Sequence, residues 1–381
     1  MITPLARPRL ASAKAAYTVR RVDLSRELVL QSGPDVEPNA GDLILAEVTR
    51  IGQHKGLELA SSRKATLYCG DEVLVAYGGR YAPDQFEAEV PHDLSECQLV
   101  AAGGLAARVT AQHLKMGQAT DLRPIGLLGR VEGGICNVRD GAIAPLHTGT
   151  GVPTTIVVVG TSMNAGKTTT VAAIAHGLTA AGLRVGAAKV TGTGAGGDPN
   201  LFADAGAAEV LDFIDAGYAS TYRVPVDALA DAFVLLHGEL AGRDVDAIVI
   251  EIADGILQPE TKALLEHHTV TDRITGMVFA AGDAMGAVAG VATLRGMGLP
   301  VLAASGLLTA SPLATREAQS ILDVPVYSPD DLGDATIART LAERAGMRPA
   351  NDIQEGGSPR VDPPAAMETQ GRNRQVPVAA A

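Results

Sequence analysis

The sequence predicts an α/β fold: a doubly wound, mostly parallel sheet in the second half of the chain, preceded by a smaller β-rich domain. Three observations predict it. From residue 155 onward, short β-branched runs alternate with helix-length segments, the order that builds parallel βα units. Up to about residue 145, turn signals recur between short apolar runs, as in a small barrel or sandwich. Hydrophobic residues make up 46% but aromatics only 3%, with no Trp, so the core is built from Ala, Val, Leu and Ile, which suit strands packed closely against helices.

In the first part, Gly41-Asp42-Leu43-Ile44-Leu45-Ala46 is echoed by Gly70-Asp71-Glu72-Val73-Leu74-Val75-Ala76. Each Gly-Asp pair reads as a turn opening a strand. A helix is expected near Ala106–Met116. Gly78–Gln85 is a polar loop with breakers at both ends, read as a surface loop. Residues 146–154, rich with their neighbour Pro145 in Thr, Gly and Pro, read as a linker to a domain at 155–350.

There, Thr155–Val159 is a buried strand, and Gly166 to about Ala181 a helix closed by Gly182. Further strands are expected at Arg184–Val190, Asp246–Ile252, Gly276–Ala280, Leu299–Ala304 and Val324–Tyr327. Helices are expected at Ala284–Gly296, Leu313–Leu322 and Asp334–Ala345. Residues 351–381, with many Pro, Gly and polar residues, read as a disordered tail.

The run Gly160-Thr161-Ser162-Met163-Asn164-Ala165-Gly166-Lys167-Thr168-Thr169 lies between strand and helix, the context of a P-loop. The helix start offers unpaired N–H groups and a positive dipole end. Gly166 lets backbone approach phosphates, Lys167 reaches the β- and γ-phosphates, and Thr168 places its hydroxyl on Mg²⁺. Five residues separate Gly160 from Gly166, one more than the usual motif. The fold class is therefore a P-loop NTPase domain after a β-rich one, with ATP and Mg²⁺ as the expected ligands; nothing in the sequence excludes GTP.

The Gly-Thr start, the five-residue gap and the Gly-Lys-Thr end resemble the dethiobiotin synthetase and cobyric acid synthase group over about Thr155–Asp254; the N-terminal domain carries no such resemblance. Ser162 stands where the related ParA and nitrogenase-iron-protein-like ATPases have an extra loop lysine. The resemblance implies that Lys189, at the end of Arg184–Val190, faces the transferred phosphate, although Val190 replaces the usual Pro. It implies a Mg²⁺-holding carboxylate, first Asp198 and second Asp204. It matches Glu251 to the acid ending the third strand, where Ile252-Ala253-Asp254-Gly255 departs from the usual Gly-Ala-Gly. Physical chemistry supports parts of this. A Lys at a strand's carboxyl end sits at the ligand crevice, and a carboxylate in an apolar run needs a partner or metal. Asp198, before Pro199, is equally a plain helix N-cap, and Lys189 a solvated strand end. Arg223 and Asp254 are the weaker substrate candidates, Arg223 for a carboxylate or phosphate. The loops at Gly282-Asp283 and Ser305–Ser311 are candidate base contacts. His267-His268 lacks metal-ligand spacing.

In the resembled group, ATP activates a carboxylate or carbamate, which is then closed into a ring or amide. The leading expectation is such an enzyme, with Lys167 and Lys189 on the transferring phosphoryl group and Thr168, Asp198 and Glu251 on Mg²⁺. Cobyric acid synthases carry a glutamine-hydrolysing domain with a nucleophilic Cys after the P-loop domain; no Cys follows Cys136, which weakens the amidotransferase version. The alternatives are a kinase acting on a hydroxyl, for which Asp254 is the candidate base, and a nucleotide-gated switch or metallochaperone.

The net charge of −12 argues against nucleic acid and anionic membrane surfaces as partners. Three widely spaced cysteines, Cys69, Cys97 and Cys136, give neither a disulfide framework nor a zinc spacing. With Pro4, Arg7, Pro8 and Arg9 where a signal peptide would need an apolar run, the expected location is cytoplasmic. The expected partner is a small-molecule substrate, and a homodimer is the assembly suggested by analogy.

Overall fold

The computed structural model describes residues 1–145 and 153–347. Most of the expected linker and the whole of the expected tail at 351–381 lie outside the described residues. Among those described, no helix is long and apolar enough to cross a membrane.

The first part is built on five strands: β1 (Leu43–Arg50), β2 (Glu72–Tyr77), β3 (Cys97–Ala101), β4 (Leu105–Gln112) and β5 (Thr120–Arg130). β1 pairs with β2, β2 with β4, β4 with β3, β3 with β5, and β5 returns to β1, which closes a barrel. The β2–β4 pairing is parallel and the others antiparallel. Short outer strands extend this sheet, including Arg80–Tyr81 and Phe86–Glu89. The two Gly-Asp turns lead into β1 and β2 as the sequence predicts.

The helix expected near Ala106–Met116 is not formed. That stretch is mostly β4, held between β2, β3 and Phe86–Glu89. Its alanines favour helix weakly, and cross-strand packing overrides that preference. Along β1 and β2 the side chains alternate between two cores. Leu43, Leu45, Leu74 and Ala76 join one that also holds Phe213, Ile214 and Ala219 from the second part. Ile44, Ala46, Val73 and Val75 join another with Leu57 and Leu99.

The second part is a six-stranded, fully parallel sheet. Its strands are β6 (Thr154–Gly160), β7 (Val185–Lys189), β8 (Glu209–Asp212), β9 (Ala247–Glu251), β10 (Gly276–Ala280) and β11 (Val301–Ser305). Their order is β8-β7-β9-β6-β10-β11. Helices include α1 (Lys167–Ala180), α2 (Gly197–Asp204), α3 (Val226–Ala241), α4 (Pro259–Glu266), α5 (Ala284–Gly296), α6 (Pro312–Ile321) and α7 (Ala335–Arg344). α1 and α7 pack on one face, through Ile174, Leu178 and Leu341. α3, α4, α5 and α6 pack on the other, through Phe233, Leu264, Val291 and Ala318. This is a doubly wound arrangement, with helices on both faces of a parallel sheet. The strand expected at Val324–Tyr327 is reduced to one parallel bridge, Ala304 to Val326; Pro325 has no N–H with which to extend a ladder.

Met1–Met347 form one compact unit, and the barrel is fastened to the sheet by buried polar contacts. Tyr17 Oη donates to Asp212 Oδ2 at 3.0 Å. Arg20 bridges Asp212 (2.9 Å) and Asp215 (3.2 Å), and Arg21 reaches Asp215 at 3.1 Å. Glu58 Oε2 accepts from the Gly196 N–H at 3.0 Å, just before α2. A Cβ at Gly103 would lie 1.9 Å from the Gly194 carbonyl oxygen, so only Gly allows the two backbones to meet there. These contacts bring barrel loops to the carboxyl ends of the parallel strands, where ligands bind in such sheets.

Candidate functional site

β6 is buried throughout and delivers the P-loop to the carboxyl edge of the sheet. Gly166 takes φ of +97°, a conformation that glycine adopts without strain, and α1 starts immediately after it. No side chain caps that helix start, so its first-turn N–H groups are left for a ligand. Lys167 is 5% exposed, and its Nζ donates to the Ser162 carbonyl at 2.8 Å, folded back over its own loop. Burial pulls its pKa below the usual lysine range, against the attraction of Glu251 and Asp254.

Lys189 and Glu251 are register partners at the ends of β7 and β9. Lys189 Nζ lies 3.4 Å from Glu251 Oε1 and also pairs with Asp198. Burial works against the Lys189 charge, but Glu251 and Asp198 outweigh it and hold the ammonium above its usual range. Glu251 is 1% exposed, and its Oε2 is buried without a hydrogen-bond partner. Asp198 sits inside the first turn of α2, with its side chain on Lys189 rather than capping the helix. Burial raises the Asp254 pKa, with Lys167 and Lys189 opposing it.

These groups line one cleft of about 820 Å³, toward the upper end of the roughly 300–1,000 Å³ usual for small-molecule sites. From the P-loop it takes Met163, Asn164, Gly166, Lys167, Thr168 and Thr169, and this side also includes Lys189, Asp198, Glu251 and Asp254. A second portion comes from loops beyond β11, through Leu307, Thr309, Ala310 and Ser328–Asp330. The expected loop at Ser305–Ser311 is thus in the lining. Gly282-Asp283 is not, and Asp283 caps α5 through the Gly286 N–H at 2.7 Å. Gly160, Thr161, Ser162 and Ala165 of the P-loop are not in the lining.

The third portion is the barrel's: His54, Arg80, Tyr81, Gln85 and Ala101–Gly103. The sequence treats Gly78–Gln85 as a surface loop, yet Arg80 is only 5% exposed. Its Nη2 donates to Gln85 Oε1 at 2.8 Å, while Nε and Nη1 are buried without partners. Burial lowers its pKa to about 10 despite the attraction of Asp84 and Asp254. His54 is pushed down to about 4 by burial and by the Arg80 charge, against the Leu99 carbonyl, 3.1 Å from its Nδ1. It is therefore neutral near pH 7. The barrel also touches the P-loop directly, since Asn164 Nδ2 donates to Asp84 Oδ2 at 2.6 Å. The only signal for this wall in the sequence is the pair of breakers around the loop; nothing local distinguishes Arg80.

Two candidates lie elsewhere. Arg223 is exposed, pairs with Glu89 at 2.7 Å and stacks over Tyr222, outside the cleft lining. Asp204 is exposed at the far end of α2. His267 and His268 stack on each other, with His267 Nε2 3.4 Å from Asp227. Among the described residues no cluster of His, Cys, Asp and Glu has the makings of a metal site by itself, and the three cysteines are free.

No family model matches the chain, and no curated protein does. Among solved structures it is similar to the 54 kDa signal recognition particle protein from Aeropyrum pernix K1 in complex with GDP. That match has 19% identity, a TM-score of 0.34, and covers 54% of this chain and 48% of that one, so the chain spans about half the length of that protein. A nucleotide-binding protein from Archaeoglobus fulgidus in complex with ADP gives 16% identity and a TM-score of 0.32, over 53% of this chain and 90% of that one. A DUF1611 family protein from Anabaena variabilis gives 16% and 0.36, over 56% and 64%.

Proposed function

We propose that the chain is a Mg²⁺- and nucleoside-triphosphate-dependent enzyme that passes the γ-phosphoryl group to a small molecule held between the P-loop and the barrel, the favoured acceptor being a carboxylate. The observation that carries this reading is the convergence of Lys167, Lys189 and Glu251 on one cleft beside an uncapped helix start. Two ammonium groups suit the charge that spreads over a phosphoryl group in transfer.

The donor set fits a divalent cation of the Mg²⁺ type. It offers a hydroxyl from Thr168, carboxylates from Glu251 and Asp198, and the partnerless Glu251 Oε2, all oxygen ligands. Bound there with the triphosphate, Mg²⁺ would neutralise phosphate charge. Asp198 and Glu251 both hold Lys189, so the same two acids position the ammonium that faces the phosphates. In the proposed reaction a carboxylate oxygen bonds to the γ-phosphorus. The bond to the β–γ bridging oxygen breaks, with its electron pair staying on the nucleoside diphosphate. A carboxylate needs no base for this attack. This is also the chemistry implied by the resemblance to the dethiobiotin synthetase group.

A hydroxyl acceptor is the second reading, and one observation favours it: Asp254 lies in the lining with a raised pKa, as a general base requires. The test is nucleoside diphosphate release from ATP or GTP with Mg²⁺, across small carboxylates, amino acids and alcohols, with Lys167→Ala as control. Stimulation by carboxylates that the variant lacks is the expected result. Stimulation by alcohols alone selects the kinase. Tight nucleotide binding with no stimulation by any compound selects a nucleotide-gated switch.

A further inference from the structure

Arg80 is a buried cation in the cleft with two nitrogens unused, and nothing in the phosphate-binding half accounts for it. We propose that Arg80 anchors the carboxylate of the second substrate, a small organic acid, on the barrel side of the cleft. The inference deepens the reading of the cleft as a triphosphate-dependent transferase and rests on it for the identity of the other ligand.

Four observations support the assignment. Arg80 lines the cleft while being 5% exposed, and its Nε and Nη1 have no partner. A buried guanidinium without a carboxylate is costly and persists where a ligand completes it. Among the described residues no ion pair within 4.0 Å satisfies it, although Asp84 and Asp254 are near enough for their charges to be felt. Its orientation is set from within, because Gln85 Oε1 holds Nη2 at 2.8 Å. That fixes the plane of the guanidinium at the cleft wall, and a planar anion is what arginine recognises better than lysine does.

The phosphates have their own provision in Lys167, Lys189 and the α1 N–H groups, all from the parallel sheet. Arg80 comes from the other structural half. His54 beside it is neutral, so Arg80 is the charged donor on the barrel's part of the lining, among the described residues. An acid seated on it is flanked by Asp254, on the loop after β9, the strand that ends in Glu251.

The experiment is isothermal titration of the full chain with acetate, lactate, succinate, glutamate and citrate, each against its neutral amide. Each titration is run with and without ADP and Mg²⁺. Wild type, Arg80→Gln and Arg80→Lys are compared, with ADP affinity measured for all three as a check of folding. At least one acid is expected to bind the wild type, with its amide at least about tenfold weaker. Arg80→Gln is expected to lose about tenfold or more in affinity for that acid, and Arg80→Lys to lose most of it too. ADP affinity is expected to stay within about threefold in both variants, since the acid and not the nucleotide uses Arg80. Absence of acid binding to the wild type overturns the proposal, as does equal binding to Arg80→Gln. A selective loss of ADP in the variants also overturns it and reassigns Arg80 to the phosphates. Failure of ADP to bind the wild type counts against the transferase reading instead, and the titrations without nucleotide still decide Arg80.

Discussion

Replacing Arg80 by Met is expected to make the ligand-free protein more stable. The guanidinium's pKa falls from 12.5 to about 10 in the fold, even after the attraction of Asp84 and Asp254 is included. At 1.36 kcal/mol per pKa unit, the fold disfavours this charge by ~3 kcal/mol. At 5% exposure solvent does little to reduce that figure. Met keeps most of the aliphatic length and removes the charge. It also removes the bond to Gln85 Oε1, a loss of ~1.5 kcal/mol for a charged donor. The difference is a gain of ~1–2 kcal/mol, seen as a melting point higher by about 2–4 °C. The assay is thermal and urea unfolding of ligand-free wild type and Arg80→Met, followed by far-UV circular dichroism. A variant that melts several degrees below wild type would refute the reasoning, because it would mean that Arg80 has an internal partner in the ligand-free protein. Stability gained by deleting a functional group is the usual signature of a site built for a ligand.

Two further predictions concern other buried groups. Glu251→Gln keeps the shape of the β9 end and removes a charge from Lys189; apparent Mg²⁺ affinity in the presence of nucleotide is expected to fall ~10–100-fold, with Mg²⁺-free nucleotide binding little changed, and an unchanged Mg²⁺ titration would take Glu251 off the metal. His237 is 5% exposed, lies 3.0 Å from Thr155 Oγ1 through Nε2, and has its pKa pulled down to about 4 by burial and then by Arg273. A pKa lowered on folding gives stability that is whole above the unfolded value of about 6.5 and is lost as pH falls toward 4, so wild type should lose ~2 kcal/mol from this group between pH 7 and 5. His237→Gln should make the pH 7 to 5 fall in urea midpoint shallower without abolishing it, because His54 is pulled down to about 4 as well, and an equally steep decline in the variant would place the effect elsewhere.

The α/β half was legible because its signals are local. β6 is a fully buried β-branched strand, Gly182 closes α1, and the range expected for α5 is the one observed. The P-loop, Lys189 and Glu251 are legible as candidates for the same reason, each standing at the end of a recognisable strand. Asp198 was legible as a candidate, but its pairing with Lys189 joins a strand end to a helix start, and spacing alone does not settle it against an N-cap. The barrel's order was not legible: β2 and β4 are parallel neighbours with β3 between them in sequence. β4 itself read as helix, because its alanines carry little strand preference of their own. Arg80 was hidden for a further reason. It becomes a cleft residue only when the barrel docks on the sheet, through pairs such as Tyr17 with Asp212 and Glu58 with Gly196, which are 195 and 138 residues apart.

The hydrogen bond from Asn164 to Asp84 ties the P-loop directly to the barrel. Asn164 sits in the P-loop, with φ of +62°, and Asp84 lies four residues beyond Arg80. Any occupant of the P-loop that strengthens this bond tightens the barrel's loop by the same free energy. An acid that orders that loop through Arg80 returns the favour to the nucleotide by the same factor, because coupling between two binding sites is reciprocal. The bond gives the two halves of the cleft a physical route to coupling, and the sign of any coupling is set by whether the occupied P-loop keeps Asn164 turned toward the barrel.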